Sequence, residues 1–313
     1  MDCRRLPYDA QRQGAKTPTE GQGGSSIASA DTIFSRDFVK PRGEPPRLIQ
    51  LLRGIQPDKV GDMNDDGYFN AAVAPTYDAA CGDMNSAAVL EPMVEFLARL
   101  AGQGRALEFA IGTGRVALPL SAAGVEVHGI EMSRAMLAEL AKKPGAEGIN
   151  ATIGDMSTAR VEGSFSLVYL VYNTITNVLT QDGQVACFEN AAAHLEPGGH
   201  FVIEVFIPSL RKLPIGESFI PFDVSDGHLG IDEYDTVNQL LTSHHYWIAN
   251  GRAELFHSPH RYAWPAEYDL MARIAGLTLD QRWANWQRDP FTAESTSHVS
   301  VWRKRAQRLT DVR

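Results

Sequence analysis

A glycine-rich turn between a predicted strand and a predicted helix is the feature of this sequence with the clearest chemical potential. Gly112-Thr113-Gly114 follows the short buried strand predicted at residues 105–111. Glycine lets a ligand approach the backbone, and the N–H groups of such a turn bind polar or anionic groups together with the helix N-terminus behind it. Glu131 ends the next predicted strand, where a carboxylate can accept hydrogen bonds from both hydroxyls of a ribose. The combination predicts a nucleoside site at the carboxyl ends of parallel strands.

Two kinds of nucleoside cofactor are compatible with this turn. Gly112-x-Gly114-x-x-Ala117 matches the dinucleotide fingerprint G-x-G-x-x-G/A, which would indicate a nicotinamide cofactor. Three other features distinguish the alternatives: Glu108 precedes the turn, Gly154-Asp155-Met156 follows the third predicted strand, and Glu196-Pro197-Gly198-Gly199 precedes the fifth. A single fingerprint match is weak, whereas an ordered set of segments at strand ends is specific.

Strand and helix patterns alternate along most of the chain. Predicted strands occupy residues 105–111, 125–130, 150–153, 165–171 and 201–205, and apolar residues at helical spacing lie before or between them at 89–100, 116–123, 133–143 and 185–195. A helix from Pro265 to Gly276 and strands at 277–282 and 299–303 complete the pattern. This alternation predicts an α/β fold, with a doubly wound, mostly parallel seven-stranded sheet covered by helices on both faces.

The stretch from about residue 215 to residue 264 has a different pattern. Short segments rich in aromatic and β-branched residues, at 218–222, 230–235, 239–248 and 252–262, predict an antiparallel β insertion that caps the active site. The insertion contains several histidines, of which we consider His245 and His260 as acceptors for a substrate proton. An ordinary half-exposed sheet rich in aromatic residues is the alternative interpretation.

The ordered segments resemble the motifs of the class I S-adenosylmethionine (SAM)-dependent methyltransferases. The similar segments are Glu108-x-Ala110-x-Gly112-x-Gly114 for the first motif, D/E-x-G-x-G-x-G; Glu131-Met132-Ser133 for the ribose segment; Gly154-Asp155-Met156 for the adenine segment; Tyr172-Asn173-Thr174 for the loop after the fourth strand; and Leu195-Glu196-Pro197-Gly198-Gly199 for the turn into the fifth. The resemblance spans about residues 68–304 and implies a Rossmann-like methyltransferase fold. It departs from the family at Ala110, where the added methyl group narrows the gap to the methionine portion of the cofactor.

The resemblance also implies a cofactor contact for each matching residue. The methionine portion of SAM would face Glu108, the backbone through Ala110, Gly112 and Gly114, and Asn173. Glu131 would bind the ribose hydroxyls, Met132 and Met156 would pack beside the adenine, and Asp155 would accept a hydrogen bond from the adenine amino group. Tyr77, before the first strand, would close over the cofactor.

Composition and charge limit the remaining function classes. The chain has 313 residues, of which 44% are hydrophobic, and a formal net charge of −9 at pH 7. It has no evident cluster of positive charge, which binding to nucleic acid or to anionic lipid requires. No apolar run approaches the roughly 18–20 residues of a membrane-spanning helix, and the three cysteines lack metal-ligand spacing. We therefore expect a cytoplasmic protein, without a bound metal, that acts on a small molecule.

Domain organisation and function follow from these patterns as hypotheses. Residues 1–62 are rich in Gln, Gly, Ser, Thr and Pro and predict a disordered, low-complexity extension before a methyltransferase domain at 63–313. The favoured hypothesis is a SAM-dependent methyltransferase that acts on a nitrogen or oxygen atom of a small-molecule acceptor. The alternatives are an NAD(P)-dependent oxidoreductase and a non-catalytic SAM-binding protein of the same fold. No pattern indicates the acceptor or the oligomeric state.

Overall fold

A seven-stranded β-sheet lies at the centre of the part of the chain that this computed structural model describes, residues 69–249 and 252–305. Its strands are β1 (Ala106–Phe109), β2 (Val127–Glu131), β3 (Asn150–Ile153), β4 (Phe165–Leu170), β5 (Leu195–Phe206), β10 (Leu277–Trp283) and β11 (Ser297–Lys304), and the four strands between β5 and β10 form a second sheet described below. The spatial order is β3-β2-β1-β4-β5-β11-β10. Strands β1 to β5 run parallel, and β11 is antiparallel to both of its neighbours. The predicted mostly parallel seven-stranded sheet is confirmed.

Helices cover both faces of this sheet. They are α1 (Tyr77–Cys81), α2 (Ala87–Ala101), α3 (Ala117–Ala122), α4 (Arg134–Leu140), α5 (Gln181–His194) and α6 (Pro265–Ile274). Phe96 of α2 and Leu120 of α3 belong to one core, and Phe188 of α5 and Tyr268 of α6 belong to the other. All residues of β4 are buried because this strand supplies side chains to both cores. The doubly wound arrangement agrees with the sequence pattern.

The order of the parallel strands reverses at the centre of the sheet. Strand β1 pairs with β2 on one side and with β4 on the other. The chain therefore leaves β1 towards one edge of the sheet and returns to build the other half from β4. Ligands of open α/β sheets bind in the crevice that such a reversal leaves at the carboxyl ends of the strands. The turn after β1 and the end of β2 lie at this crevice.

A second, antiparallel sheet, which we call the cap sheet, lies between β5 and α6 in the sequence. It consists of β6 (Phe219–Ser225), β7 (His228–Asp235), β8 (Leu240–Ala249) and β9 (Arg252–Arg261), paired in chain order so that β6 and β9 are the edge strands. These strands lie within the insertion predicted at 215–264. A small core of Tyr234, Leu241 and Tyr262 packs against Phe206 at the end of β5 and joins the cap sheet to the central sheet.

Buried polar contacts attach the end of β9 to two helices of the main sheet. The guanidinium of Arg261 donates to Oε1 of Gln184 in α5 at 2.6 Å and to the carboxylate of Glu267 in α6 at 2.6 Å. The amide of Gln184 donates to the backbone oxygens of Ile175 and Arg261. These contacts place the edge strand β9 beside the short 3-10 helix Thr174–Asn177, which follows β4.

Strand β5 differs from the sequence expectation. We predicted a strand at 201–205 after a Pro-Gly-Gly turn, but β5 begins at Leu195, directly after α5. Gly198 has a φ of +90°, and the pairing of β4 with β5 is irregular between Phe165 and Leu167. A glycine in this conformation lets the strand pass through an irregularity where the pattern predicts a turn.

Two further expectations concern the N-terminal extension and membrane-spanning helices. The extension predicted at 1–62 lies outside the described residues. Within the described residues, no helix is both long enough and apolar enough to cross a membrane.

Candidate active site

The predicted glycine turn lies in the crevice between β1 and α3. Gly112 and Gly114 have φ values of +58° and +80°, a region that residues with a side chain rarely adopt. A Cβ atom on Gly114 would lie 2.3 Å from Cδ1 of Leu140, so a side chain there would displace Leu140 of α4. Gly114 thus shapes the turn, while Gly112 lies at the cavity described below.

The carboxylate of Glu131 links this turn to the end of β2. Its Oε2 accepts a hydrogen bond from the backbone N–H of Gly112 at 2.8 Å, and its Oε1 accepts one from the N–H of Ser133 at 2.9 Å. The residue is only 6% exposed. Backbone N–H groups therefore orient both carboxylate oxygens, each of which can accept more than one hydrogen bond. Two oriented oxygens at a strand end match the vicinal hydroxyls of a ribose.

A cavity of about 440 Å³ opens at this edge of the sheet. The predicted cofactor residues that line it are Tyr77, Ala110, Gly112, Glu131, Met132, Asp155 and Met156. The structure therefore brings together residues from the turn after β1, the end of β2 and the end of β3. Residues 256–259 of β9 add a wall from the cap sheet. The volume lies within the usual range of small-molecule and cofactor sites.

The chemistry of the cavity lining favours a ligand with an apolar ring and a positive charge. Met132 and Leu179 are 49% and 42% exposed although both are large and apolar, and both face the cavity. A planar aromatic ligand would cover such surfaces. Glu131 and Asp155 supply two carboxylates, and no lysine or arginine is among the described residues that line the cavity. This balance is unfavourable for the pyrophosphate of a dinucleotide.

A smaller side cavity adjoins the first one and is lined by Glu108 and Arg115. Tyr77, Ala110, Gly112 and Thr174 line both cavities, so the two are neighbours. The guanidinium of Arg115 lies 4.6 Å from the ring centroid of Tyr172, where it is positioned by a cation–π contact. A carboxyl group and a guanidinium that line the same cavity are suited to an amino acid's ammonium and carboxylate. Sequence reasoning missed Arg115, although it directly follows the glycine turn.

Glu108 has an unusual protonation equilibrium. Burial raises the pKa of its carboxyl group from 4.5 to about 8, and the hydrogen bond from the hydroxyl of Tyr169 and the charge of Arg115 oppose this shift only in part. The Tyr169 hydroxyl donates to Oε2 of Glu108 at 2.9 Å. The group is consequently mostly protonated at pH 7, before any cationic ligand is bound.

Ala110 adopts a conformation that favours glycine. Its φ is +53°, and it lines both cavities. The left-handed region costs an L-residue with a side chain roughly 1–2 kcal/mol. The departure from the family motif is therefore accommodated by backbone strain at the turn.

Substitution Ala110→Gly is expected to raise the free energy of unfolding by up to about 1 kcal/mol, because glycine adopts this φ without strain but loses more backbone entropy on folding. Urea unfolding measures the change. Ala123→Gly is the matched control: Ala123 follows α3 with a φ of −77°. This change is expected to lower stability by roughly 0.5–1 kcal/mol. Equal losses in both variants would show that Ala110 is not strained.

Asn173 occupies a different position from the one implied by the family resemblance. Tyr172 and Asn173 have φ values of +62° and +61°. The side-chain Oδ1 of Asn173 accepts a hydrogen bond from the N–H of Phe206, while Glu204 accepts from the N–H of Tyr172. Asn173 lines neither of the two cavities. Its side chain orients the loop after β4, and Thr174 is the neighbour that reaches both cavities.

The two predicted proton acceptors do not line the cavity. His245 is buried in the cap sheet, where its Nδ1 lies 3.1 Å from Nε2 of His228. His260 is also buried, and its Nε2 lies 2.8 Å from Oγ of Ser258, a residue of the cavity wall. His260 is thus one residue behind the wall. His257, which the sequence analysis did not single out, lines the cavity itself.

Comparisons with known proteins indicate the class of protein to which the chain is similar. The sequence profile of a family described as "Methyltransferase domain" matches residues 106–199. The CcbJ methyltransferase from Streptomyces caelestis has a similar structure: it is 37% identical, the match covers 75% of this chain and 96% of that chain, and the TM-score is 0.67. Cypemycin N-terminal methyltransferase from a Streptomyces species is 27% identical over 247 residues, which cover 76% of this chain and 98% of that protein. SAM-bound CalS10, an amino pentose methyltransferase from Micromonospora echinaspora, shares the fold at 19% identity, with 72% and 96% of the two chains covered and a TM-score of 0.55.

The central sheet, the glycine turn and these relatives define the protein class. The chain belongs to the class I SAM-dependent methyltransferases, and it is an enzyme of that class. The family implies SAM as the cofactor. The predicted methyltransferase is therefore confirmed in preference to a nicotinamide-dependent oxidoreductase or a non-catalytic relative.

Proposed function

We propose that this enzyme transfers the methyl group of SAM to a nitrogen or oxygen atom of a small molecule, with an amine nitrogen as the favoured acceptor. The relative that the chain matches over 98% of its length is named as an N-terminal methyltransferase, and an N-terminus presents an amine. The two cavity carboxylates, Glu131 and Asp155, also suit a positively charged ligand.

The described residues fit SAM in three places. The orientation of both Glu131 oxygens by the N–H groups of Gly112 and Ser133, on which this proposal chiefly depends, suits the ribose. The exposed apolar side chains of Met132 and Leu179 suit the adenine ring, and Asp155 lies in the same cavity for its amino group. Glu108 and Arg115 in the side cavity suit the ammonium and carboxylate of the methionine portion.

The contribution of the chain to catalysis is orientation. Bound SAM supplies a methyl group that the positive charge on sulfur already activates. The side chains of the cavity fix the acceptor in line with that methyl group and exclude water, an effect that can lower the barrier by several kcal/mol, at most about 7–11 kcal/mol. Residues 256–259 of β9 are the wall available to the acceptor. The cap sheet, which lies within the insertion predicted at 215–264, would thus complete the active site.

Calorimetric titration with S-adenosylhomocysteine (SAH) tests the cofactor assignment. We expect one molecule of SAH to bind per chain, and NAD⁺ and NADP⁺ to give no heat of binding. Failure of the folded protein to bind SAH would contradict the proposal.

The acceptor class requires a separate experiment. Incubation with SAM and a panel of primary amines and matched alcohols, followed by mass spectrometry, is expected to show methylated amine together with SAH. Matched pairs that differ only in an NH₂ or OH group provide the control. Methylation of alcohols alone would transfer the assignment from nitrogen to oxygen.

A further inference from the structure

Three polar side chains form a hydrogen-bonded chain across the cap sheet and end at the cavity. Nε2 of His244 lies 2.9 Å from Oε2 of Glu233, and Nδ1 of His244 lies 2.7 Å from Nδ1 of His257. His244 and His257 are direct cross-strand partners on β8 and β9. Glu233 is on β7, two residues beyond the partner of His244, and therefore faces the same side of the sheet. We call this set the Glu233–His244–His257 chain.

The positions of the protons in this chain follow from the donors and acceptors. A carboxylate only accepts hydrogen bonds, so Nε2 of His244 donates to Glu233. A neutral imidazole has one donor and one acceptor nitrogen, so Nδ1 of His244 accepts and Nδ1 of His257 donates to it. His257 therefore has its proton on Nδ1 and a lone pair on Nε2. This residue lines the cavity in which the cofactor and acceptor are proposed to bind.

The surroundings of His257 keep its ring available as a base. Partial burial lowers the pKa of His257 below its ordinary value, and the neighbouring His244 lowers it further, while the carboxylate of Glu233 opposes them. The ring is accordingly neutral at pH 7. The same carboxylate lies on the far side of His244, where its negative charge favours the imidazolium that forms after proton transfer.

We propose that His257 accepts the proton of the acceptor amine, and that His244 and Glu233 are positioning residues that direct its lone pair. The inference rests on the proposed function. The N–H bond of the bound ammonium breaks, and its proton passes to Nε2 of His257. The electron pair left on nitrogen forms the new N–CH₃ bond as the C–S bond breaks and its pair remains on sulfur. His257 then loses the proton to solvent.

His257 is better placed for this step than the two histidines predicted from the sequence. His245 lies among Trp247, Phe256 and His228 in the cap sheet and does not line the cavity. His260 does not line the cavity, and its Nε2 lies 2.8 Å from the hydroxyl of Ser258, which does. Proton transfer to His257 needs no intermediate group.

The tautomer of His257 can be tested without knowledge of the acceptor. The full chain, labelled with ¹⁵N-histidine, is examined at pH 7.5 by NMR, in which ring nitrogens with and without a proton have different shifts. His257→Asn and His244→Asn assign the signals. We expect His257 to have its proton on Nδ1 and His244 on Nε2, and we expect saturating SAH to shift Nε2 of His257.

Two carboxylate variants provide the matched comparison. Glu233→Gln is expected to reduce the population of the Nδ1–H tautomer of His257 at least twofold, because the amide no longer restricts Nε2 of His244 to donation. Glu254→Gln changes an exposed carboxylate of β9 that belongs neither to the Glu233–His244–His257 chain nor to the cavity lining. This variant is expected to leave the tautomer of His257 unchanged. An Nε2 proton on His257 in the wild-type protein would overturn the inference even if SAH binds. Failure of SAH to bind would contradict the proposed function instead. The tautomer of His257 is measured without SAH, so it would still show whether the hydrogen-bonded chain is arranged as inferred.

Kinetics separate a proton acceptor from a residue that only maintains the structure. With an amine substrate from the panel, His257→Asn is expected to reduce kcat at pH 7 by about 100-fold or more with little change in KM. The loss should diminish above the pKa of the amine, where solvent has already removed the proton. A loss that is independent of pH, or a larger effect from His260→Asn, would contradict the assignment.

Discussion

Glu131→Gln is expected to weaken SAH binding by about 100-fold or more, with the protein still folded. The glutamine has one acceptor oxygen, so its NH₂ group would face one of the two backbone donors, Gly112 or Ser133, that now contact the carboxylate. The ribose would also lose an ionised acceptor. Hydrogen bonds to charged groups contribute about 1.5–3 kcal/mol each, so two of them account for a change of this size. Calorimetric titration with SAH measures it.

Glu126→Gln is the matched control for this experiment. Glu126 directly precedes β2, and its carboxylate pairs with His128 and Arg105. It lies at the opposite end of the strand from Glu131 and does not line either cavity. SAH affinity is expected to change less than twofold. Comparable losses in both variants would show that charge at large, and not a ribose contact, determines binding.

Binding of SAM is expected to release close to one proton per chain at pH 7. Glu108, with a pKa of about 8, is mostly protonated in the free enzyme. The ammonium of the methionine portion would stabilise the ionised carboxylate and lower that pKa to well below 7, so the proton leaves on binding. Calorimetry at pH 7 in buffers of different ionisation enthalpy measures the number of protons released. Affinity should accordingly increase with pH up to about 8 and then level off.

Glu108→Gln isolates this carboxyl group. The variant is expected to bind SAM without proton release, and its affinity should not depend on pH between 5 and 8. Proton release that persists in the variant would assign the effect to another group.

The raised pKa of Glu108 also predicts how the stability of the protein without ligand depends on pH. Its pKa is about 8 in the folded protein and 4.5 as the ordinary value, so the folded state binds more protons between these two pH values. Stability therefore falls as pH rises through that window, by about 5 kcal/mol for this group in total. Glu108→Gln should remove most of that slope in urea unfolding measured from pH 5 to pH 9. An unchanged slope would show that the carboxyl group is ionised in the folded protein.

The convergence of the glycine turn and Glu131 was predictable because both follow directly from local pattern. A glycine turn after one apolar strand and a carboxylate at the end of the next must converge when the two strands are parallel neighbours. The structure brings Glu131 and Gly112 within 2.8 Å, as that reasoning requires. The alternation of strands and helices was equally predictable from the sequence, since buried parallel strands are apolar on both faces.

The side of the cavity formed by the cap sheet, where we propose that the acceptor binds, was not predictable in the same way. His257 reaches the cavity because β9 packs against the helix Thr174–Asn177, and Thr176 and His260, which join the two, are 84 residues apart in the chain. No periodicity encodes which edge of an antiparallel sheet meets another part of the fold. The several histidines of the insertion indicated candidates for proton transfer but not which of them faces the cavity. The cross-strand register of β8 and β9 pairs His257 with His244 and places His245 opposite Phe256.

Ala110 and Arg115 show a further limit of sequence reasoning. The motif identified Ala110 as a departure, but its backbone strain depends on a φ that the pattern does not contain. The position of Arg115 depends on the ring of Tyr172, which is itself in a left-handed conformation after β4. Such tertiary contacts are added to the local pattern and are not determined by it.

The attachment of β9 to two helices also bears on how the enzyme selects among acceptors. The guanidinium of Arg261 is 5% exposed and donates hydrogen bonds to Glu267 and Gln184, and a hydrogen bond to a charged group contributes about 1.5–3 kcal/mol. Movement of β9 away from both helices breaks both hydrogen bonds, so the open form would be populated in fewer than about one molecule in a hundred. Selectivity then depends on the preformed shape of the cavity. Rigid acceptors that match this shape should be methylated efficiently, whereas bulkier homologues should not be methylated at all, even slowly.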